Sequence, residues 1–335
     1  MFESRHSAVA DIAPYPRWLA DIGGTNARFG WQEHEGAAIS HVLVLPCAQH
    51  ASLLDAAQCY LHQQGLRAPH CAAFGIANPV TGDAVTMTNH HWKFSVNALR
   101  EGLGIARLLL LNDFTALALA LPQLPRDQLH PIGGGQAVAA SAVGLIGPGT
   151  GLGVSGLLPL GYQNKWIPIN GEGGHVNLSA TTELEFSVIQ QLQKRYGHVS
   201  AERVLSGAGL VDLYHALCSL KDGQGLGITT PEDVMARALD IPSSTANQAL
   251  DLFCGFLGGV AGDLALTLGA RGGIYIGGGI APRMIARLEA GPFRTRFESK
   301  GRFTRYLQNI PTWVIRSPVS PALQGASQAL SLTQW

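Results

Sequence analysis

In ARLLLLNDFTALALALP, residues 106–122, an amide and a carboxylate, Asn112 and Asp113, stand side by side within the most apolar segment of the chain. A carboxylate withdrawn from water without partners costs several kcal/mol or gives up its charge, so a ligand or a helix end must account for it. Residues 108–111 have the unbroken apolar pattern of a strand buried on both faces, and residues 114–121 read as a helix, which sets the pair at the carboxyl end of a strand. Ligands bind at that edge of α/β sheets. Asn and Asp are also favoured as helix N-caps, so one of the two can cap while the other serves a ligand.

Other stretches carry chemistry of a different kind. In ADIGGTNAR, residues 20–28, Gly23 and Gly24 make a turn whose N–H groups can face an anion. Thr25 adds a hydroxyl, and Asp21 a carboxylate suited to holding Mg²⁺ through water. An ordinary hairpin turn with a solvated Asp has the same spacing. GPGTGLGV, residues 147–154, fails as a dinucleotide fingerprint, because Leu152 stands where the third glycine of G-x-G-x-x-G belongs and the segment continues as strand. No lysine follows a glycine anywhere in the chain, which excludes a P-loop. The AGD at residues 261–263 lies in what reads as one glycine-containing helix and is assigned to packing. In NGEGGHVNL, residues 170–178, Glu172 and His175 at a spacing of three are compatible with shared metal ligation, but nothing completes a site. Recognition of a hydroxyl-rich ligand fits them better, since carboxylates accept from hydroxyls and imidazole does either. A surface loop with incidental polar groups is the competing reading.

The elements that must hold these residues are legible from glycine placement. Sixteen of the 41 glycines gather in five clusters that each follow an apolar run: IGGTNARFG, IGPGTGLGVSG, INGEGGH, LSGAGL and IYIGGGIAPR. A strand that delivers a glycine turn lets backbone amides come close to a ligand, and five such turns imply one large, phosphate-rich ligand. WLADIGGTNARFGW and AVGLIGPGTGLGVSGL both read as strand, glycine turn, strand, which predicts a duplicated fold. CAAFGIANPV and ARLLLLND read as further strands, while FSVIQQLQKRYG, VDLYHALCSL, EDVMARAL and ALDLFCGFLGGVAGDLALTLG read as helices. A smaller N-terminal lobe and a larger, more helical C-terminal lobe follow, with a boundary near QLPRDQLHP.

Composition narrows the class. At 335 residues the chain exceeds what one hydrophobic core serves, and with 46% hydrophobic and 14% charged residues it is well buried and globular. Lys+Arg 23 against Asp+Glu 23 leaves no general attraction to nucleic acid or an anionic membrane. The five cysteines are scattered and never spaced C-x-x-C, as expected of reduced thiols packed as small hydrophobes. No unbroken apolar run reaches the roughly 20 residues of a membrane helix, and the N-terminus carries charges where a signal peptide would be apolar. A soluble, cytoplasmic protein is therefore expected, with residues 1–17, including Pro14 and Pro16, as a loosely ordered extension.

The ordered succession DIGGTNARFG, MTNHHWKFS, LLNDFTALALALP, GPGTGLGV, GEGGHVNL, GHVSAERVLSGAGLVDLYHAL and GGIYIGGGIAPR resembles the bacterial glucokinase family of hexokinase-type enzymes. It runs from Trp18 to the C-terminus; each motif alone is weak, and seven in register are specific. The resemblance implies an α/β fold of the actin-like ATPase class, two duplicated ribonuclease H-like lobes with ATP and sugar in an inter-lobe cleft. Residues 18–123 plus 316–335 would form the small lobe and 124–315 the large one, a C-terminal helix returning to the former. It also implies a homodimer that uses ATP and Mg²⁺ to phosphorylate the 6-hydroxyl of glucose at the entry to glycolysis.

By position Asp113 looks like the catalytic base, and Asn112, Asp113, Glu172, His175 and Glu202 look like sugar ligands. Ala20, Asp21, Ile22, Gly23, Gly24 and Thr25 are similar to the first phosphate-binding segment of that family. Gly147, Gly149, Thr150 and Gly151 are similar to the second, and Gly277, Gly278 and Gly279 to a nucleotide-side loop. The departures are a longer N-terminal extension and Pro148 where a small residue is common. The chain lacks the zinc motif of the related repressor, ORF, kinase family and lacks a helix-turn-helix extension, which disfavours a repressor. A kinase for another hexose or N-acetylhexosamine, or a non-catalytic sugar sensor on the same fold, is the alternative, since GIANPVTGD and TNHHWKFS carry no readable code for the sugar 2-substituent.

Overall fold

The computed structural model describes residues 15–88, 90–161, 165–221, 227–241 and 244–332; residues 1–14 of the extension and Asn89 of TNHHWKFS lie outside them. Two units make up the chain, Met1–Leu124 with Pro318–Trp335, and Pro125–Ser317.

The first unit opens with β1 (Arg17–Ile22) and β2 (Asn26–Gln32), an antiparallel hairpin extended by β3 (Ser40–Pro46). Helix α1 (Leu53–Gln64) leads to β4 (Cys71–Ile76), which pairs parallel with β1. The small hairpin of β5 (Ala84–Thr86) and β6 (Lys93–Ser95) and helix α2 (Val96–Gly102) precede β7 (Arg107–Asn112), parallel to β4, which runs into α3 (Asp113–Ala120). The sheet order is β3-β2-β1-β4-β7. One face carries an aromatic core in which Trp18 stacks on Tyr60 at 5.8 Å and meets Phe74 edge-on at 5.3 Å. On the other face Leu19 and Ala73 pack with Leu323, Ala326 and Leu330 of the C-terminal helix, Pro321–Ser331.

The pleat divides the leucine run of β7 between these two layers. Leu108 and Leu110 join the aromatic core, and Leu109 the layer beneath the C-terminal helix. Because β7 is an edge strand, Leu108 and Leu109 stay partly exposed, short of the double burial that an unbroken apolar run predicts; Leu110 and Leu111 are buried.

The second unit begins with β8 (Leu129–Gly133), then β9 (Val143–Pro148) and β10 (Leu152–Leu160), an antiparallel hairpin extended by β11 (Lys165–Asn170). Helices α4 (Glu183–Tyr196), α5 (Ala201–Val204), α6 (Gly207–Leu220), α7 (Pro231–Asp240) and α8 (Thr245–Leu268) follow. Strands β12 (Ile274–Ile276) and β13 (Thr312–Ile315) complete a sheet of order β11-β10-β9-β12-β13-β8, with β12 parallel to both β9 and β13. Its first five strands repeat the order and orientations of the first sheet, so the duplication expected from the two glycine hairpins is present in the topology. Ser or Thr side chains cap the helices: Thr182, Ser200, Ser206, Thr230 and Ser244 each accept an N–H of the first turn.

Helix α8 is long and apolar enough to cross a bilayer, although Asp251 and Asp263 interrupt its apolar run, and most of its apolar window is buried inside the unit. The AGD sequence lies within it: Ala261 and Gly262 are buried, with no room for a side chain at Gly262 beside Phe297 O, in keeping with a packing role, and Asp263 pairs at the surface with Lys300 at 2.6 Å.

The C-terminal helix crosses α3 at Gly325, where an added Cβ would land on the carbonyl oxygen of Ala116. Two main chains touch there, and the helix that begins at Asp113 is held by that contact. Gly325→Ala is expected to destabilise the protein by about 3 kcal/mol, read from urea unfolding, because backbone cannot yield as a side chain does. The thiols give a second check. Burial pushes Cys47 up from 9.0 to about 11 and Cys254 up to about 12, and both are fully buried. Protons retained by the fold but lost by the unfolded chain make this contribution to stability complete below pH 9 and lost as pH rises toward about 12. At neutral pH a thiol reagent should titrate only Cys59, the one cysteine that is not buried, until denaturant is added.

Candidate active site

Strands β1, β4 and β7 run parallel, so their carboxyl ends share one edge of the first sheet. Ile22, Ile76 and Asn112 are in register across it. With strands about 4.8 Å apart, Asn112 lies about 10 Å from Ile22, across β4. The Gly23 turn is closed by Gly23 N–H donating to Asn26 O at 2.9 Å. Ala20 and Ile22 are fully buried, Gly23 and Gly24 are half-buried and Thr25 is exposed, so the open tip is 23–25. Cys47 braces this turn from behind: its N–H donates to Thr25 O at 2.8 Å and its thiol to Gly23 O at 3.5 Å. Reading the cysteines as small hydrophobes missed that support, which depends on the β2–β3 pairing.

Asp21 is held through one oxygen. Its Oδ2 accepts from Arg28 Nη1 at 3.0 Å and from Ser320 Oγ, just before the C-terminal helix, at 2.6 Å. A Mg²⁺ ion keeps most of its waters and asks the protein for one or two carboxylates beside the phosphates. A single pinned carboxylate next to a glycine turn fits that requirement. Among the described residues no group of three or more His, Cys, Asp or Glu could hold a metal by itself.

The choice left open for Asn112 is decided in part. Its Oδ1 accepts from Phe114 N–H at 2.9 Å and Thr115 N–H at 3.1 Å, so it caps α3. Asp113 is the first residue of that helix, half-buried, and its Oδ1 accepts from Phe114 N–H at 2.8 Å. Gly75 of β4, which motif reading passed over, lies beside it: a Cβ there would sit 3.5 Å from Asp113 Cα and 3.2 Å from Ala116 Cβ. A lone glycine inside a strand was the available signal of close backbone approach.

In the second unit Glu172, His175 and Glu202 come together. His175 Nε2 lies 4.0 Å from Glu172 Oε2 and its Nδ1 4.0 Å from Glu202 Oε1, a carboxylate–imidazole–carboxylate row open to solvent on both flanks. The loop bearing Glu172 and His175 rests on β10 because Gly174 has no side chain; a Cβ there would overlap Leu152 O. The turn 147–151 is closed by Gly149 N–H donating to Gly151 O at 2.8 Å, and Gly149 O accepts from Gly207 N–H at 2.9 Å at the start of α6. Beside it the loop 277–279 is tied by Gly277 N–H to Ile146 O at 2.8 Å and Ile280 N–H to Pro148 O at 3.2 Å. Gly147 and Gly277 are buried, whereas Thr150 and Gly279 are exposed, so each turn presents its tip. Glu202 joins the row to the turn, since its Oε2 accepts from Leu152 N–H at 2.9 Å.

Two glycine hairpins on duplicated sheets, one beside a carboxylate and one beside a polar row, define a sugar kinase of the actin-like ATPase fold. A ROK-family glucokinase from Streptomyces griseus, solved in complex with glucose and AMPPNP, shares that fold at 20% identity, TM-score 0.61, over 94% of this chain and 99% of its own. The glucokinase family model matches residues 18–333. The glucokinase of Aromatoleum aromaticum is 52% identical over 94% of this chain and 95% of its own, and that of Neisseria gonorrhoeae 48% over 95% of both. A solved glucokinase from an Antarctic psychrotroph aligns at 34% identity and TM-score 0.83 over 94% of this chain and 98% of its own. The chain belongs to the glucokinase family, and with it to the ATP-dependent hexose kinases.

The cap at Asn112 has a measurable consequence. Asn112→Ala should lower the unfolding free energy by about 1 kcal/mol, whereas Asn112→Asp, which keeps an acceptor for the same N–H groups, should stay within about 0.5 kcal/mol of wild type in urea unfolding.

Proposed function

We propose that the enzyme transfers the γ-phosphoryl group of ATP to the 6-hydroxyl of D-glucose, with Asp113 as the base, giving glucose 6-phosphate and ADP. The observation that carries the assignment is the end of β7, where the Asn112 cap holds Asp113 on the first turn of α3, at the same sheet edge as the Gly23–Gly24 turn. The relatives at 52% and 48% identity, both glucokinases, support glucose as the acceptor.

Phosphoryl transfer through a loose transition state asks the protein for alignment and for stabilisation of charge on the moving group. Asp113 orients the 6-hydroxyl and takes its proton late; Asn112, whose Oδ1 is committed to the cap, retains its amide N–H groups for a neighbouring hydroxyl. Glu172 and Glu202 accept from sugar hydroxyls and His175 donates or accepts. Amides of the turns 23–25, 147–151 and 277–279 face the phosphates. Asp21, fixed by Arg28 and Ser320, would hold Mg²⁺ through water, and that ion when bound neutralises phosphate charge. The same reading makes the enzyme a cytoplasmic homodimer that feeds glycolysis; free cysteines, four of them buried, support a reducing compartment, and the family resemblance alone supports the dimer.

Purified protein should form glucose 6-phosphate from glucose and ATP in a coupled assay. Asp113→Asn should lower kcat by about three orders of magnitude while calorimetry finds glucose affinity within about threefold of wild type. Turnover near the wild-type rate in that variant removes Asp113 from the role of base.

A further inference from the structure

The geometry points to Glu202 as a residue that serves both ligands at once, so that sugar and nucleotide tighten each other's binding through its carboxylate. The inference rests on the assignment of Glu202 to the sugar and of the turn 147–151 to phosphate. One oxygen, Oε2, is committed to the turn: it accepts from Leu152 N–H at 2.9 Å, and it occupies the space that a side chain at Gly151 would fill. The other, Oε1, faces His175 Nδ1 at 4.0 Å, on the row that meets the sugar. A carboxylate is a rigid plane, so whatever draws Oε1 toward a hydroxyl turns or steadies Oε2 against the glycine turn.

The mounting makes the side chain a stiff link. Glu202 projects from α5, whose Ala201 and Val204 are fully buried. Ser200, itself buried, caps the helix, and Ala201 N–H donates to Val176 O at 2.9 Å in the loop that follows His175. Its side chain is 34% exposed, against 53% for Glu172 and 61% for His175, as befits a carboxylate that accepts a hydrogen bond from main chain. The main chain of Leu152 completes the link. Its N–H holds Glu202, while its carbonyl oxygen lies under Gly174, between Glu172 and His175 in sequence. Sugar that orders the row therefore orders the turn, and by thermodynamic reciprocity nucleotide on the turn favours sugar by the same factor.

Calorimetric titration of a non-hydrolysable ATP analogue, with and without saturating glucose, tests this in wild type and in three variants. Wild type should bind the analogue at least about fivefold more tightly with glucose present. Glu202→Gln keeps an oxygen for Leu152 N–H; its sugar-free affinity for the analogue should stay within about twofold of wild type while glucose weakens more than about tenfold. Glu202→Ala loses both contacts and should weaken the sugar-free analogue at least about fivefold as well. That split between Gln and Ala is not produced by a residue that touches sugar alone. Equal sugar-free analogue affinity in wild type, Gln and Ala, or the absence of synergy in wild type, overturns the coupling. Should Glu202→Ala fail to fold, Gly151→Ala decides: displacement of Oε2 should weaken glucose at least about fivefold, and unchanged glucose affinity overturns the inference. An active wild type without these splits refutes the coupling alone, whereas a wild type that makes no glucose 6-phosphate refutes the assignment on which it rests.

Discussion

The hydrogen bond from Leu152 N–H to Glu202 is the contact on which the site of the second unit depends. It forms only because three stretches distant in sequence bring main chain and side chain into the same small volume. Gly151 leaves room for the carboxylate, Gly174 lets the Glu172–His175 loop lie on the Leu152 carbonyl, and the short helix α5 delivers Glu202 from a buried footing. An amide donating to a carboxylate is a charge-assisted bond, stronger than a neutral one, and it spares a half-buried anion the cost of desolvation. The order of the turn and the order of the polar row then become one property.

The first unit solves a related problem with different parts. Its glycine turn is held by Cys47 from behind and stands beside Asp21, which Arg28 and Ser320 grip through one oxygen. Its second candidate position, Asp113, is set by the Asn112 cap and by the close crossing of α3 with the C-terminal helix at Gly325. Duplication supplied the same five-strand frame twice, β3-β2-β1-β4-β7 and β11-β10-β9-β12-β13, with parallel strands ending at one edge. The side chains set on that edge then diverged: a carboxylate at a helix start in one unit, a carboxylate–imidazole row in the other. A frame of this kind keeps the loops short and places chemistry on rigid strand ends, where small displacements matter most.

In the proposed reading Asn112 serves both stability and chemistry. Its amide oxygen satisfies two of the N–H groups that a helix start leaves without partners, which is a structural task worth about 1 kcal/mol. The same bonds fix the direction in which the chain turns from β7 into α3, and so the position of Asp113. The amide nitrogen is not consumed by the cap, so the two readings of this residue are complementary.

Much was legible in the sequence because it is written in local pattern. Glycine after an apolar run marks a strand-end turn, two similar hairpins mark a duplication, and the ARLLLLND run places Asn112 and Asp113 at a strand end with a helix to follow; these follow from backbone sterics and side-chain period, which act over a few residues. What the sequence left open is set by pairing between distant segments. That β7 lies at an edge and leaves Leu108 and Leu109 partly exposed depends on its having β4 as a neighbour on one side only. That Cys47 braces a turn more than twenty positions earlier, that Ser320 reaches Asp21, and that Glu202 bonds Leu152 are consequences of register and helix packing. Residue types and spacing determined which groups are capable of the chemistry; only the tertiary structure decided which oxygen of each is already committed, because a carboxylate's partners come from wherever folding brings an N–H or a hydroxyl within 3 Å.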